Sequence, residues 1–195
     1  MSEAPSANVS PQRPDPRVRR TLLLMAAIVL APVVASYSIY YFWPRDKLVN
    51  YGELLATPAP ALEGVRAGGQ PFRLVDLRGK WVLVTAARDA CDAACERKLY
   101  ATRQARTIQG RDQERIARVL VVTGDVAPTS AQLSQHPGLE VVRAAPSAVA
   151  AFPAGDAGIY LIDPLGNLVL AWPADPDIKA LAKDLGRLLR ASRIG

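Results

Sequence analysis

The chain has 195 residues, half of them hydrophobic, with a formal net charge of +6. Its basic residues are dispersed among acids and never form a stripe interleaved with aromatics, which argues against a nucleic-acid surface. With one histidine and two cysteines it cannot easily furnish the four ligands of a closed zinc site.

Met1 to Arg20 is rich in Ser, Pro and Arg and reads as a disordered tail over residues 1–20. Thr21 to Trp43 then runs 23 residues without a charge, enough to cross a hydrocarbon core of ~30 Å as a helix. Pro32 is tolerable within such a helix. Tyr37, Tyr40, Tyr41 and Trp43 crowd one end, as aromatics do at a membrane interface. Arg17, Arg19 and Arg20 precede the span, so the positive-inside rule places the N-terminus in the cytoplasm and the rest of the chain outside, in the periplasm if the source is bacterial. The run is too long for a secretory h-region and lacks a clear cleavage site.

Residues 44–60 read as a juxtamembrane linker, with a short helical turn over Lys47 to Leu55. Ala61 to Val65 and Pro71 to Leu74 flank Ala67-Gly68-Gly69-Gln70, a hairpin pattern. Lys80 to Ala86 is an apolar, β-branched run suited to a strand buried on both faces. Cys91 to Gln109 has helical character, and Arg115 to Thr123 is a second buried strand. Strand, helix, strand implies a parallel pair with a right-handed crossover. Thr129 to Gln135 forms a short helix capped by Thr129 or Ser130, and Leu139 to Arg143 a short strand. Ala144 to Gly155 carries no clear pattern. Gly158 to Ile162 and Leu168 to Trp172 flank Asp163-Pro164-Leu165-Gly166-Asn167, the clearest hairpin in the chain. Asp175 to Arg190 is a final helix, with Asp175 as cap, Pro176 at its first position, and Ile178, Leu181, Leu185 and Leu188 along one face.

Both cysteines lie in Cys91-Asp92-Ala93-Ala94-Cys95, where the first buried strand gives way to a helix. A helix N-terminus offers partial positive charge and free N–H groups, which favour a nucleophilic, metal-binding thiolate. If both residues were helical their Cβ atoms would be ~5–6 Å apart, whereas a relaxed disulfide wants ~3.8 Å. A bridge requires Cys91 to lie in the loop; a soft ion such as Cu(I) fits the wider gap at least as well. Asp89 and Asp92 oppose thiolate formation, while Arg88 and Arg97 favour it. A functional dithiol and a purely structural bridge both remain open.

The order of elements resembles the thioredoxin-like fold, here an α/β domain over 61–195 behind one membrane anchor at 21–43. The chain also resembles the SCO/SenC family of copper-binding assembly factors for cytochrome c oxidase. Its carriers are Asp76-Leu77-Arg78-Gly79-Lys80, the Cys91/Cys95 pair, Val121-Val122-Thr123, and Ile159-Tyr160-Leu161-Ile162-Asp163-Pro164-Leu165-Gly166. The resemblance implies Cys91 and Cys95 as ligands for Cu(I) or as a redox pair. It implies the oxidase subunit bearing the copper site as partner, and a single-pass location in the bacterial inner membrane. The family's third copper ligand is a His just before the Ile-Tyr-Leu-Ile-Asp strand, where this chain has Ala154-Gly155-Asp156-Ala157-Gly158. Asp156 is a hard donor poorly matched to Cu(I). His136, in a loop upstream, is expected to be solvated. Two further readings stand beside copper handling: a copper-independent thiol–disulfide oxidoreductase, with Cys91 attacking and Cys95 resolving, and a non-catalytic interaction module with a structural disulfide.

Overall fold

Strand formation dominates the chain after residue 50, and every long apolar run becomes part of one eight-stranded sheet. The structure is a computed structural model and describes residues 16–42, 50–88, 90–126 and 128–192. Two units, Met1–Leu48 and Val49–Gly195, are each internally compact.

The first unit contains α1 (Pro16–Phe42), 27 residues long and so ~40 Å in length. It begins at Pro16 rather than Thr21, because proline suits a first helical turn and arginine is a good helix former. Within it, Pro16–Ile39 is long and apolar enough to cross a membrane, and none of its described side chains is buried. Residues 1–15 of the expected tail, Trp43, and residues 44–49 of the expected linker lie outside the described residues.

The second unit runs β1 (Glu53–Pro58), β2 (Glu63–Arg66), β3 (Pro71–Arg73), β4 (Trp81–Ala87), α2 (Ala93–Ile108), β5 (Ile116–Val122), α3 (Ser130–Ser134), β6 (Leu139–Arg143), α4 (Pro146–Ala150), β7 (Ile159–Ile162), β8 (Asn167–Trp172) and α5 (Ile178–Ala191). The strand order is β1-β8-β7-β4-β5-β6-β2-β3. β4, β5 and β6 are parallel neighbours, and the remaining pairs are antiparallel. β4 lies centrally and is buried at all seven positions, as its unbroken apolar sequence requires. Alternate residues point to opposite faces: Val82, Val84 and Ala86 join Phe72 and Phe152 on one side. Leu83 meets the other, where α5 packs through Leu181, Leu185 and Leu189.

The hairpins at 63–73 and 159–172, the crossover and the apolar stripe of α5 match the sequence expectations. Three local features differ. Lys47 to Leu55 contributes no helical turn among its described residues; Glu53–Pro58 instead pairs with β8. This edge strand is almost wholly exposed, so it has no apolar alternation to betray it, and Ala56 at φ 45° breaks its register. The cap of α5 is Asp177, which accepts hydrogen bonds from Lys179 N at 2.8 Å and Ala180 N at 3.0 Å, and not Asp175. The Ala144 to Gly155 stretch holds α4, entered through Pro146.

A buried carboxylate anchors β1. Asp184 on α5 is 2% exposed and accepts hydrogen bonds from Tyr51 N and Gly52 N, both at 2.8 Å, and from Trp172 Nε1 at 3.3 Å. Gly52 is needed there, because a Cβ would fall 2.5 Å from Trp172 Nε1. Asp184→Ala strands three donors, so it should cost about 2–4 kcal/mol in chemical denaturation; a loss below ~0.5 kcal/mol would mean that water replaces the carboxylate.

Candidate functional site

The site forms where β4 ends. Seven buried residues deliver the chain to Arg88, and α2 starts five residues later at Ala93. Asp92 is the N-cap, extended at φ −79° and ψ −176°, and its Oδ1 accepts a hydrogen bond from Cys95 N at 2.8 Å. Cys95 therefore sits in the first turn of α2, while Cys91 precedes the cap and is outside the helix. This is the condition under which the spacing permits a bridge. Cys91 and Cys95 are joined by a disulfide with Cα atoms 5.1 Å apart, inside the roughly 4.4–6.8 Å that disulfides span. The gap expected for two helical cysteines is thus closed by a bond. Asp92, expected only to oppose a thiolate, also builds the helix start that favours one.

Both sulfur residues are buried, Cys91 at 6% and Cys95 at 3% exposure. They pack against Ala87, Leu99, Leu120 and Val122. Over them lies the β5–β6 connection. Gln132 on α3 donates from Nε2 to Cys91 O at 2.9 Å, while its Oε1 accepts from Thr129 N at 2.9 Å in a capping box. One glutamine thus holds its own helix and fastens it to the cysteine loop.

His136, expected to be solvated, is 3% exposed. The connection folds back onto α2 and places its Nε2 3.1 Å from Glu96 Oε2, next to Cys95 in sequence; its Nδ1 has no partner among the described residues. Asp156 lies in the stretch before β7 where the resemblance implies a third ligand, and its carboxylate pairs with Arg88, Nε to Oδ2 at 2.8 Å. Arg97 is exposed on α2, and Asp89 lies outside the described residues. Among the described residues no cluster of three or more His, Cys, Asp or Glu side chains could hold a metal ion. Reduction of the disulfide would offer two soft thiolates, a donor pair suited to Cu(I) with room for a third donor from outside.

Two cations that the sequence reading passed over lie under α2. Lys98 is 4% exposed; its Nζ donates to Ala86 O at 2.7 Å and to Asp156 O. Desolvation pushes its pKa down, against the opposing pull of Asp156 and Asp92. Arg118 is 2% exposed and donates from Nη2 to Leu99 O at 3.2 Å. Burial, together with the like charges of Arg106 and Arg103, lowers its pKa to about 10. The loop before β7 is further pinned by Tyr160, whose hydroxyl donates to Gly155 O at 2.9 Å and accepts from Ala154 N at 3.0 Å. Only the i+3 spacing of Lys98 from Cys95 could have signalled its place on the site face.

A disulfide bridging a pre-helical loop to the first turn of the crossover helix, beside a central parallel strand, defines a thioredoxin-like protein. Residues 81–192 match the family described as transmembrane-like, thioredoxin-like, C-terminal domain, and the chain belongs to that family. No curated protein matches the sequence. Among solved structures, copper-bound yeast Sco1 is similar at 17% identity and a TM-score of 0.59, over 72% of this chain and 96% of that one. Apo Sco1 from Thermus thermophilus is similar at 22% and 0.56, over 75% and 98%. Peroxidoxin BcpB from Mycobacterium tuberculosis is similar at 19% and 0.54, over 72% and 98%. At these identities the likeness is one of fold, and it bears out the expected thioredoxin-like architecture.

Gln132→Ala removes the tie to Cys91 O, worth about 1 kcal/mol net, along with the capping-box bond to Thr129 N. It should speed opening of the disulfide by a small dithiol about fivefold, measured as the rate of thiol release. An unchanged rate would mean that α3 does not restrain the loop.

Proposed function

We propose that the protein is a membrane-anchored thiol factor that serves the copper site of cytochrome c oxidase. Cys91 and Cys95 would either pass Cu(I) or keep the oxidase's copper-site cysteines reduced. The observation that carries this reading is the bridge between Cys91, outside α2, and Cys95, in its first turn. Such a pair opens to thiols held at a helix N-terminus, where a thiolate is favoured. The fold shared with copper-bound Sco1 supports the copper assignment. The apolar helix Pro16–Ile39 fits membrane anchoring, and Arg17, Arg19 and Arg20 at its start support an N-terminus in the cytoplasm with the domain, assigned to 61–195 plus the strand at 53–58, in the periplasm of a bacterial inner membrane.

In the copper branch, the reduced pair binds Cu(I) through two thiolates and hands it to a partner that contributes further donors. In the redox branch, the Cys91 thiolate attacks a partner disulfide, forming a mixed disulfide and releasing one partner thiolate. Cys95 then attacks Cys91 Sγ, freeing the second partner thiol and restoring the Cys91–Cys95 bond. The partner gains two electrons that the pair loses, and an external dithiol must reduce the pair again. Asp156 is a hard donor already paired with Arg88, so in the copper branch the third donor comes from the partner.

Anaerobic titration of the reduced full-length chain with Cu(I), against a competing chelator, separates the branches. The copper branch predicts tight one-to-one binding that disappears in Cys91→Ser/Cys95→Ser. Binding no stronger than that variant's would remove copper from the function and leave thiol exchange.

A further inference from the structure

Charge under α2 is unevenly matched. Lys98 follows Cys95 by three residues, which places the two on one face of the helix, and both are buried. An ammonium group has three donors. Two of the Lys98 donors go to neutral carbonyls, Ala86 O at the end of β4 and Asp156 O in the loop before β7. The two carboxylates that act on it, Asp156 and Asp92, are each hydrogen-bonded elsewhere. Asp156 pairs with Arg88 at 2.8 Å, and Asp92 accepts from Cys95 N at 2.8 Å. A buried charge without a directly bonded counter-ion is costly. In the disulfide form the sulfur atoms are neutral and do nothing to offset it.

We propose that Lys98 is the fixed cation that balances the thiolate created when the Cys91–Cys95 bond opens, and that it thereby sets how readily the pair is reduced. This rests on the redox-active reading of the pair given above. When an external dithiol supplies two electrons, the S–S bond breaks, one sulfur takes up a proton and the other remains as thiolate. That anion arises beside the helix face that carries Lys98, three residues after Cys95, whose ammonium is otherwise bonded to neutral oxygens. The reduced state gains an ion pair that the oxidised state lacks, so the cation shifts the equilibrium toward reduction. Lys98 is a positioning residue as well, since the same ammonium ties the end of β4 to the loop over the site. The charge and the tie make different predictions.

The test equilibrates the full-length chain in detergent with graded ratios of reduced to oxidised glutathione. Free thiols are then trapped by alkylation and counted by mass. Lys98→Gln keeps a side-chain donor for the carbonyls and removes the charge; Lys98→Met removes both; Lys98→Arg keeps the charge. The expected result is a tenfold shift toward the disulfide in Lys98→Gln and Lys98→Met, equivalent to about 30 mV for a two-electron couple. Lys98→Arg should stay within about threefold of the wild type, and denaturation should show the reduced form of Lys98→Gln losing more stability than its oxidised form. If Lys98→Met does not fold, the Gln and Arg pair decides. Coincident curves for Gln, Arg and wild type, or equal stability losses in both redox states, would overturn the role of Lys98 while leaving the reading of the pair intact. A wild-type bridge that no glutathione ratio opens would overturn both.

Discussion

The hydrogen bond from Cys95 N to the Asp92 carboxylate at 2.8 Å is the small contact on which the arrangement of the site depends. It decides where α2 begins. With Asp92 as the cap, Cys91 falls outside the helix and Cys95 inside its first turn, and a four-residue separation becomes bridgeable. Moving the helix start one turn earlier would make both cysteines helical and hold their sulfur atoms apart. The cap stays where it is because β4, buried along its whole length, delivers the chain to a single point at the edge of the core.

That junction is then closed in from three sides. Gln132 fastens the β5–β6 connection to Cys91 O. Lys98 joins the end of β4 to the loop before β7, and Arg88 holds the Asp156 carboxylate of the same loop. The consequence is chemical. Asp156, before β7, is an acid already paired with Arg88, and the only histidine is turned toward Glu96. What remains for chemistry is the sulfur pair itself, packed among apolar side chains. Such an environment suits a dithiol that exchanges with another protein's sulfur or lends two soft donors to an ion in transit.

The elements that carry the fold were legible because they are either buried on both faces or strictly amphipathic. β4 and β5 announce themselves as unbroken apolar runs, α5 as a stripe, and the β7–β8 hairpin by Asp163-Pro164-Leu165-Gly166. β1 was not legible, since an exposed edge strand has no hydrophobic pattern and owes its form to free backbone groups on β8. The buried polar residues were equally silent. Asp184, Lys98, Arg118 and His136 are each nearly inaccessible, yet in sequence they look like ordinary helix, strand or loop charges. Their burial follows from tertiary packing that no local window contains. The cysteine pair was legible as a site, but whether it bridged depended on the position of a cap, which only the backbone resolves.

A thiol factor of this kind requires that the Cys91–Cys95 bond open and close in the working protein. The most direct test is to quench intact cells carrying the full-length chain with acid, alkylate the free thiols, and measure the reduced fraction before and after a brief oxidant pulse. The account predicts a population with both thiols free that disappears on oxidation and returns once the oxidant is removed. A chain that is fully bridged under every condition would contradict it, and would make the disulfide a structural brace on a thioredoxin-like scaffold.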